Sequence, residues 1–223
     1  MADSYLVGEQ TKQKIFKESK KLFYKKGFTE TTYNDISTAA KINRALIPYH
    51  FNSKQTLGYA VYAKILSDFD TAFFNTVHED ECPPDLMNVL HTFAYYQMFD
   101  NAKMLRFAYE IISCEKTNDP FPMFEKGQIA GIGSKASSFT DAELDALASI
   151  NSGMEKEIIR MLYESGETVD VNTLARMELN MMMGYAGYSK KKQEELIDIA
   201  EELSTQLSVN VKNGFAVDIS WNG

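Results

Sequence analysis

Hydrophobic residues recur every three or four positions along most of the chain, which is the spacing of one face of an α-helix. This spacing predicts two short helices within 32–51 and longer ones at about 10–26, 53–77, 85–99, 102–115, 140–165, 171–188 and 190–212. The pattern is weak at the N-terminal arm (1–9), in a glycine-rich loop or broken helix (120–139), and in an unassigned tail (215–223). The predicted fold class is all-α.

The most informative stretch is 32–51, where two short helices are separated by a tight turn. Thr32 is a preferred N-cap residue, and Asp35 supplies a carboxylate three positions later, in a weak form of the capping box. Asn43 is a second N-cap residue, and 44–49 leave room for about two further helical turns. Such a pair has the form of a helix-turn-helix, whose second helix enters the DNA major groove.

A capped pair of short helices also occurs in ordinary helical cores, so its neighbours decide between the two interpretations. A basic helix ends at Gly27 and Phe28 before the pair, and Ser53-Lys54 opens a long helix after it. The run from Ile15 to Leu57 resembles the DNA-binding domain of the TetR family of bacterial repressors. The residues that carry the resemblance are Leu22, Phe23, Gly27, Phe28, Thr31, Thr32, Ile36, Ala39, Ile42, Asn43, Tyr49, His50, Phe51, Ser53, Lys54 and Leu57.

The resemblance implies a three-helix DNA-binding head, residues 1–52, followed by a helical ligand-binding and dimerisation body, residues 53–223. The predicted DNA-binding residues are Thr32, Asn43, Arg44, Ala45, Leu46, Tyr49, His50 and Lys54. Arg44 is the side chain in the groove-facing turn that can bind guanine through two hydrogen bonds, and a phosphate contact is an equal alternative. The family pattern implies backbone contacts for Tyr49 and His50, and a phosphate contact for Lys54 beside the N-cap Ser53.

Two residues depart from the family pattern. Lys41 stands in the turn where the family usually has glycine, which costs about 1 kcal/mol if the residue must adopt a positive φ. Pro48 stands in the recognition helix where the family usually has tyrosine, and a proline there removes a backbone donor and crowds the preceding turn. The helix is therefore expected to be short or kinked, with altered site preference or weakened DNA binding as the two consequences.

The charge of the chain is divided unevenly between its two parts. Residues 1–64 hold eleven Lys and Arg against five Asp and Glu, a net charge of +6. Residues 65–223 hold twelve against twenty-six, a net charge of −14, and the two values give the overall −8. A basic head on an acidic body confines attraction for polyanions to one end, and with the helix-turn-helix this favours double-stranded DNA as the partner.

Composition indicates which broad class of protein this is. The 44% hydrophobic and 24% charged content is typical of globular proteins. No apolar run is long enough for a membrane span, and the N-terminus lacks the apolar region of a signal peptide, so a cytoplasmic location without membrane partners is expected. Cys82 and Cys114 form no CxxC motif and are expected to be free thiols, with redox sensing as a minor alternative.

The last two predicted helices carry apolar stripes at heptad-like spacing. Family members act as dimers, and the resemblance implies that these two helices form a four-helix bundle with a second copy. The predicted homodimer interface consists of Met177, Met181, Tyr185, Ile199, Leu203 and Leu207. The alternative is that these apolar stripes are buried within a single subunit.

The predicted helices between the head and these stripes are rich in aromatic residues and methionine, which suit an adaptable cavity. The predicted ligand-pocket residues are Phe93, Tyr96, Met104, Phe107, Met154 and Met161. Each of them is also a reasonable core residue. The expected ligand is a small apolar or amphipathic molecule whose binding lowers affinity for operator DNA.

An enzyme is the competing class, but the chain offers little for catalysis. The three histidines are His50, His78 and His91, and no paired carboxylates, nucleophile elbow or metal-ligand spacing accompanies them. No metal or cofactor is expected. The expected function is a ligand-responsive, dimeric transcriptional regulator, most simply a repressor. The alternative is a helical interaction protein of the same fold with weakened or lost DNA binding, which Pro48 keeps open.

Overall fold

The computed structural model describes residues 2–78, 82–114, 139–165 and 170–221. Its elements are α1 (Ala2–Lys26), α2 (Tyr33–Ala40), α3 (Leu46–Phe51), α4 (Lys54–Thr76), α5 (Pro84–Gln97), a 3₁₀ turn (Met98–Asp100), α6 (Ala102–Ile112), α7 (Asp141–Glu164), α8 (Val171–Tyr185), α9 (Lys190–Ser204), β1 (Leu207–Lys212) and β2 (Ala216–Trp221). The all-α class is confirmed, with one small hairpin added at the end of the described chain. Residues 120–138 of the predicted glycine-rich loop or broken helix (120–139) fall outside the described residues.

Capping side chains fix several helix starts at the predicted positions. Thr32 and Asp35 form the full reciprocal box at α2: the Thr32 hydroxyl accepts from the Asp35 N–H at 3.2 Å, and the Asp35 carboxylate accepts from the Thr32 N–H at 2.8 Å. Thr140 and Glu143 do the same for α7. Ser53 caps α4 by accepting from the N–H of Thr56.

Helix α1 is longer than predicted. It begins at Ala2, so the predicted loose arm over residues 1–9 is wrong. The early turns have no strong apolar stripe, since Val7 is 61% exposed, and hydrophobic periodicity therefore gives no signal for them. Local hydrogen bonding continues there, with the Thr11 hydroxyl donating to the Val7 carbonyl at 2.8 Å.

The predicted last helix over 190–212 is also wrong in its second half. Helix α9 ends at Ser204, and β1 pairs antiparallel with β2 in the register Leu207↔Trp221 to Lys212↔Ala216. Leu207 and Val211 are four residues apart, which fits a helix, but both lie on the buried side of a strand. The Asn213-Gly214 pair, a strong hairpin signal, marks the turn that separates the two strands.

The hairpin packs against α4 and α5 and places Phe215 in the centre of the protein. Phe215 adopts a positive φ of 58° and is fully buried. Its ring lies 5.0 Å from that of Tyr24 on α1 and 4.7 Å from that of Phe107 on α6. The hairpin therefore joins the head to the body, in addition to the covalent connection through α4.

None of the helices in the described ranges combines the length and the low polarity needed to cross a lipid bilayer.

Candidate nucleic-acid interface

The turn between α2 and α3 has the geometry that the family pattern requires. Lys41 adopts the left-handed conformation, with φ 54° and ψ 51°, and its N–H donates to carbonyls at the end of α2. Lys41 thus meets the condition, a positive φ, under which a steric cost was expected at this position. A side chain other than glycine carries the steric cost of that conformation.

The recognition segment begins with a capped turn and continues as a short helix. The Asn43 side chain accepts from the Ala45 N–H at 2.9 Å, so Asn43 caps the turn as predicted. Arg44 and Ala45 lie in that turn, and α3 proper starts at Leu46 and has six residues. Pro48 is its third residue, where a backbone N–H has no intrahelical acceptor. The proline therefore removes no hydrogen bond from inside the helix.

One edge of this segment faces solvent and the other anchors it. Ile47 and Phe51 are buried in the head, whereas Arg44 and Ala45 are exposed and Tyr49 is 77% exposed. Of the other predicted contacts, Thr32 and Asn43 are exposed, and Leu46 and His50 are half-buried. Arg44, Ala45 and Tyr49 thus form the exposed side of this segment.

Arg44 is oriented by two contacts with α2. Its Nη1 donates to the Asn34 side-chain oxygen at 3.3 Å, and its guanidinium lies 5.8 Å from the Tyr33 ring centre. Both contacts are exposed, and they use only some of the five N–H donors of the guanidinium group. The side chain is held near the turn while most of its donors still face outward.

Helix α2 is tied to α1 by an ion pair. Lys26 contacts the Asp35 carboxylate at 2.8 Å. The hydrogen bond from Lys26, followed by those from the Thr32 N–H and hydroxyl, holds the pKa of Asp35 well below its ordinary range. The capping carboxylate is therefore ionised at neutral pH and keeps the start of α2 fixed.

Lys54 binds the protein's own backbone in the structure. Its ammonium donates to the carbonyls of Phe28 at 3.1 Å, Thr29 at 3.2 Å and Thr31 at 3.0 Å, and it lies 4.6 Å from the Phe28 ring centre. An ammonium has three protons, and all three are used inside the protein. Lys54 thus clamps the loop between α1 and α2, and its phosphate contact stays a prediction.

The same loop is held from the other side by the body, through residues that sequence reasoning missed. The Glu110 carboxylate on α6 accepts from the N–H groups of Phe28 and Thr29. Arg106, one turn earlier, donates to the Tyr24 carbonyl at 3.4 Å, near the C-terminus of α1. The available signal was weak: Glu110 is a lone acid within the apolar run of α6, and Gly27 marks the chain reversal that it contacts.

The predicted ligand-pocket residues divide into two groups. Phe93, Tyr96, Met104 and Phe107 are at most 1% exposed, and Phe107 packs against Phe23 with ring centres 5.6 Å apart. These four are core residues in the structure. Met154 and Met161 on α7 are half-buried.

An open apolar groove lies elsewhere, between α7 and α8. It encloses about 400 Å³, part of which is open to solvent. Its lining residues are Phe139, Leu147, Ile150, Asn151, Met181, Met182, Tyr185 and Ala186. We call this feature the α7–α8 groove.

The predicted dimer residues are mostly exposed. Met177 (61%), Met181 (39%), Tyr185 (53%) and Ile199 (41%) leave large apolar side chains at the surface of α8 and α9. Leu203 is half-buried at the end of α9. Leu207 is 4% exposed on β1 and packs into the core of its own chain, so its predicted place in a dimer interface is wrong.

Comparison with known proteins identifies the N-terminal domain. The model of bacterial regulatory proteins of the tetR family matches residues 15–61, the same region that contains the helix-turn-helix. This region therefore matches the DNA-binding domain of the TetR family. The rest of the chain has the helical body that accompanies this head in TetR regulators of known structure.

Two curated transcriptional regulators are similar to part of the chain. The transcriptional regulator TtgR of Pseudomonas putida is 29% identical over 125 residues, which cover 55% of this chain and 59% of TtgR. The repressor NicS, also of Pseudomonas putida, is 39% identical over 64 residues, covering 29% of this chain and 30% of NicS. The chain thus spans about three fifths of TtgR and a smaller part of NicS.

Solved structures extend the likeness to the body. The crystal structure of RolR in complex with the ligand resorcinol has a TM-score of 0.55 and 13% identity, covering 86% of this chain and 95% of that one. A tetR-family transcriptional regulator from Streptomyces coelicolor has a TM-score of 0.52 and 15% identity, covering 87% and 89%. At these identities the likeness establishes the TetR fold alone.

Proposed function

We propose that this protein is a dimeric, ligand-responsive DNA-binding transcriptional regulator, most simply a repressor that a small apolar or amphipathic molecule releases from its operator. The observation that carries the proposal is the exposed edge of the recognition segment. Arg44, Ala45 and Tyr49 face solvent there, and Ile47 and Phe51 anchor the segment from behind. A rigidly anchored helix with exposed donors suits the major groove.

Charge supports the same conclusion. The net charge of +6 in residues 1–64 provides the phosphate attraction that drives non-specific DNA binding, and the net charge of −14 in the rest repels DNA from the body. A bound duplex would therefore be directed to the head. Affinity for DNA is expected to fall steeply as salt is added.

A homodimer is supported by the apolar surface of α8 and α9. Met177, Met181, Tyr185 and Ile199 form an exposed set that a second copy would bury. Pairing would place two recognition segments about 34–36 Å apart, one turn of DNA. The proposed division is a head of residues 1–52 and a body of residues 53–223, in a cytoplasmic protein without membrane partner, cofactor or enzymatic activity.

The ligand response rests on the fold class and on the apolar groove. RolR, which shares the fold, is named with the small aromatic ligand resorcinol. Contacts from α6 to the loop between α1 and α2 give the body a physical route to the head. A ligand that favours one arrangement of the body would therefore change the DNA affinity by its differential binding energy.

The position of Pro48 weakens the alternative of an interaction protein that has lost DNA binding. That alternative depended on a proline that disrupts the recognition helix. Pro48 is exposed and lies in the first turn of α3, where its missing N–H breaks no helical hydrogen bond. We therefore assign Pro48 to site preference.

Selection of bound duplexes from a random DNA pool tests the proposal. The wild type should enrich a two-fold symmetric site with half-sites about 10 base pairs apart. Arg44→Ala should lose about 1–3 kcal/mol of preference at one guanine position. Arg160→Ala is the matched control, because Arg160 is exposed on α7 and pairs with Glu157 and Glu164 of the same helix. No enrichment by the wild type would instead support the interaction protein.

A further inference from the structure

We propose that Lys41, in the turn between α2 and α3, binds a phosphate of the DNA backbone in each head. This inference rests on the proposed function and adds a residue that is not among the predicted DNA contacts. It combines the backbone conformation of Lys41, the exposure of its side chain and the internal use of donors at two predicted contact residues.

The backbone of Lys41 has a conformation that favours glycine. Its φ of 54° and ψ of 51° lie in the left-handed region, at the C-cap of α2. Glycine adopts this conformation without steric cost, but it has no side chain to offer to a partner. A larger residue held in a costly conformation therefore points to a role for its side chain.

The side chain of Lys41 is available for such a role. It is exposed, and across residues 2–78, 82–114, 139–165 and 170–221 the structure shows no salt bridge to its ammonium. Asp35, the acidic residue of α2, is instead paired with Lys26 at 2.8 Å. Lys41 and Arg44 are the lysine and arginine of the segment 31–52, so they supply its positive charge at neutral pH.

Two of the predicted DNA-binding residues already use their donors within the head. The Thr32 N–H and hydroxyl both donate to the Asp35 carboxylate, at 2.8 and 2.7 Å. The Lys54 ammonium donates to three loop carbonyls. A phosphate that binds these donors must compete with the internal bonds, whereas the Lys41 ammonium can bind a phosphate without breaking a salt bridge in the described part of the chain.

The position of the turn brings Lys41 to the edge of the major groove. In a helix-turn-helix, the N-terminal residues of the second helix contact base edges, and the first helix crosses the DNA backbone. Lys41 lies between these two helices, shortly before Arg44 in the groove-facing turn. A lysine side chain in this place is close to the phosphates that line the groove, and its point charge suits them.

The alternative role for this charge is internal to the free protein. A cation at the C-terminus of a helix interacts favourably with the helix dipole, and Lys41 is the C-cap of α2. That interaction would stabilise the folded head whether or not DNA is present. Measurements of stability and of DNA binding on the same variants therefore separate the two roles.

Salt titration of DNA binding tests the proposal in the full-length protein, with the duplex that the wild type selects. The binding constant varies with salt concentration to a power of about −0.9 for each phosphate contact. Lys41→Gln should therefore make the slope of log K against log salt shallower by about 0.9 per head, or about 1.8 per dimer. At about 0.1 M salt, binding should weaken about eightfold per head.

Two further properties of the Lys41 variants are expected. Lys41→Gln should select the same DNA sequences as the wild type, because a phosphate contact carries no base information. Lys41→Arg retains the positive charge and should bind within about twofold of the wild type with the same salt slope. Loss of the slope in Lys41→Arg as well would contradict a contact made by charge.

Lys21→Gln is the matched control, because it removes the same charge from another side of the head. Lys21 is exposed on α1, pairs with Glu18 at 2.8 Å, and lies beside the hairpin turn, where a β-carbon on Gly214 would be 3.9 Å from its Cγ. Its salt slope should stay near that of the wild type. Equal changes in Lys21→Gln and Lys41→Gln would attribute the effect to the net charge of the head and overturn the contact.

Lys41→Gly distinguishes the DNA contact from a structural role. It relieves the backbone conformation and removes the side chain, so its melting temperature should rise while its DNA affinity falls as far as that of Lys41→Gln. A loss of stability in Lys41→Gln together with the wild-type salt slope would assign the charge to the helix dipole and refute the proposal.

The wild-type titration separates this inference from the proposed function. Salt-dependent binding by the wild type with an unchanged slope in Lys41→Gln would overturn the role of Lys41 and leave the regulator proposal standing. A wild type that binds no duplex at any salt concentration would overturn both.

Discussion

Lys41 occupies a left-handed backbone conformation in the tightest part of the helix-turn-helix, with φ 54°. Its side chain is exposed, so a substitution there changes little besides the backbone preference. Lys41→Gly should raise the stability of the free protein by about 1 kcal/mol, or about 2–4 °C in melting temperature. Thermal denaturation monitored by circular dichroism measures this. Lys41→Ala, which keeps a β-carbon, is the control, and an equal gain in both variants would contradict the backbone explanation.

Lys54 is a second residue whose role can be isolated. Lys54→Met keeps most of the apolar stem but leaves three loop carbonyls without their ammonium donor, which should cost about 1–3 kcal/mol of unfolding free energy. Urea denaturation in the absence of DNA measures this loss. Lys64→Met is the matched control, because Lys64 makes an exposed pair with Asp68 worth at most about 1 kcal/mol. Equal stability of Lys54→Met and wild type would show that the clamp contributes little.

Helix α3 is the element in which a sequence departure matters most. Pro48 is exposed and lies in its first turn, so Pro48→Ala should change stability by less than about 1 kcal/mol in either direction. The same variant should change which duplexes are selected, because position 48 borders the exposed edge. A stability gain near 3 kcal/mol in urea denaturation would instead mean that the proline breaks a helix interior.

An element could be predicted when the residues that stabilise it lie close together in the sequence. Helix α2 was predictable because its capping box joins Thr32 to Asp35, three residues apart. The C-terminal hairpin was missed because the spacing of Leu203, Leu207 and Val211 also fits a helix, and the local signal of Asn213-Gly214 was not used.

The contacts of the loop between α1 and α2 could not be predicted from the sequence, because its partners are distant in the chain. Glu110 and Phe28 are separated by 82 positions, and no local pattern relates them. The exposed edge of the recognition segment was predictable because the family pattern specifies it. The donors and acceptors that hold the loop between α1 and α2 come from helices that are distant in the sequence. The contact of Lys54 with this loop was not predictable because its partners are backbone carbonyls, which side-chain patterns do not reveal.

Head and body share buried contacts, so we expect the whole molecule to unfold as one unit. Phe215 is central, with Tyr24 of α1 on one side and Phe107 of α6 on the other. Wild-type unfolding in urea should therefore give coincident transitions by circular dichroism and by fluorescence of Trp221, the single tryptophan. Phe215→Ala should cost about 3–5 kcal/mol.

The control for this prediction lies on the same hairpin. Val209 is half-buried on β1, and Val209→Ala should cost less than half as much as Phe215→Ala. In the Phe215 variant the Trp221 transition should precede that of the helices, because the hairpin loses its anchor. Coincident, unshifted transitions in Phe215→Ala would mean that the hairpin is not an anchor between head and body.

The Glu110 contact has a consequence for engineering. A β-carbon placed on Gly27 would lie 2.8 Å from a Glu110 oxygen, and that carboxylate also binds the N–H groups of the next two residues. The surface of α6 is therefore shaped to one particular helix reversal in the head. A chimera that joins another DNA-binding domain to this body would need the equivalents of both Glu110 and Gly27. Without that pair, the two domains would fold but would not be coupled.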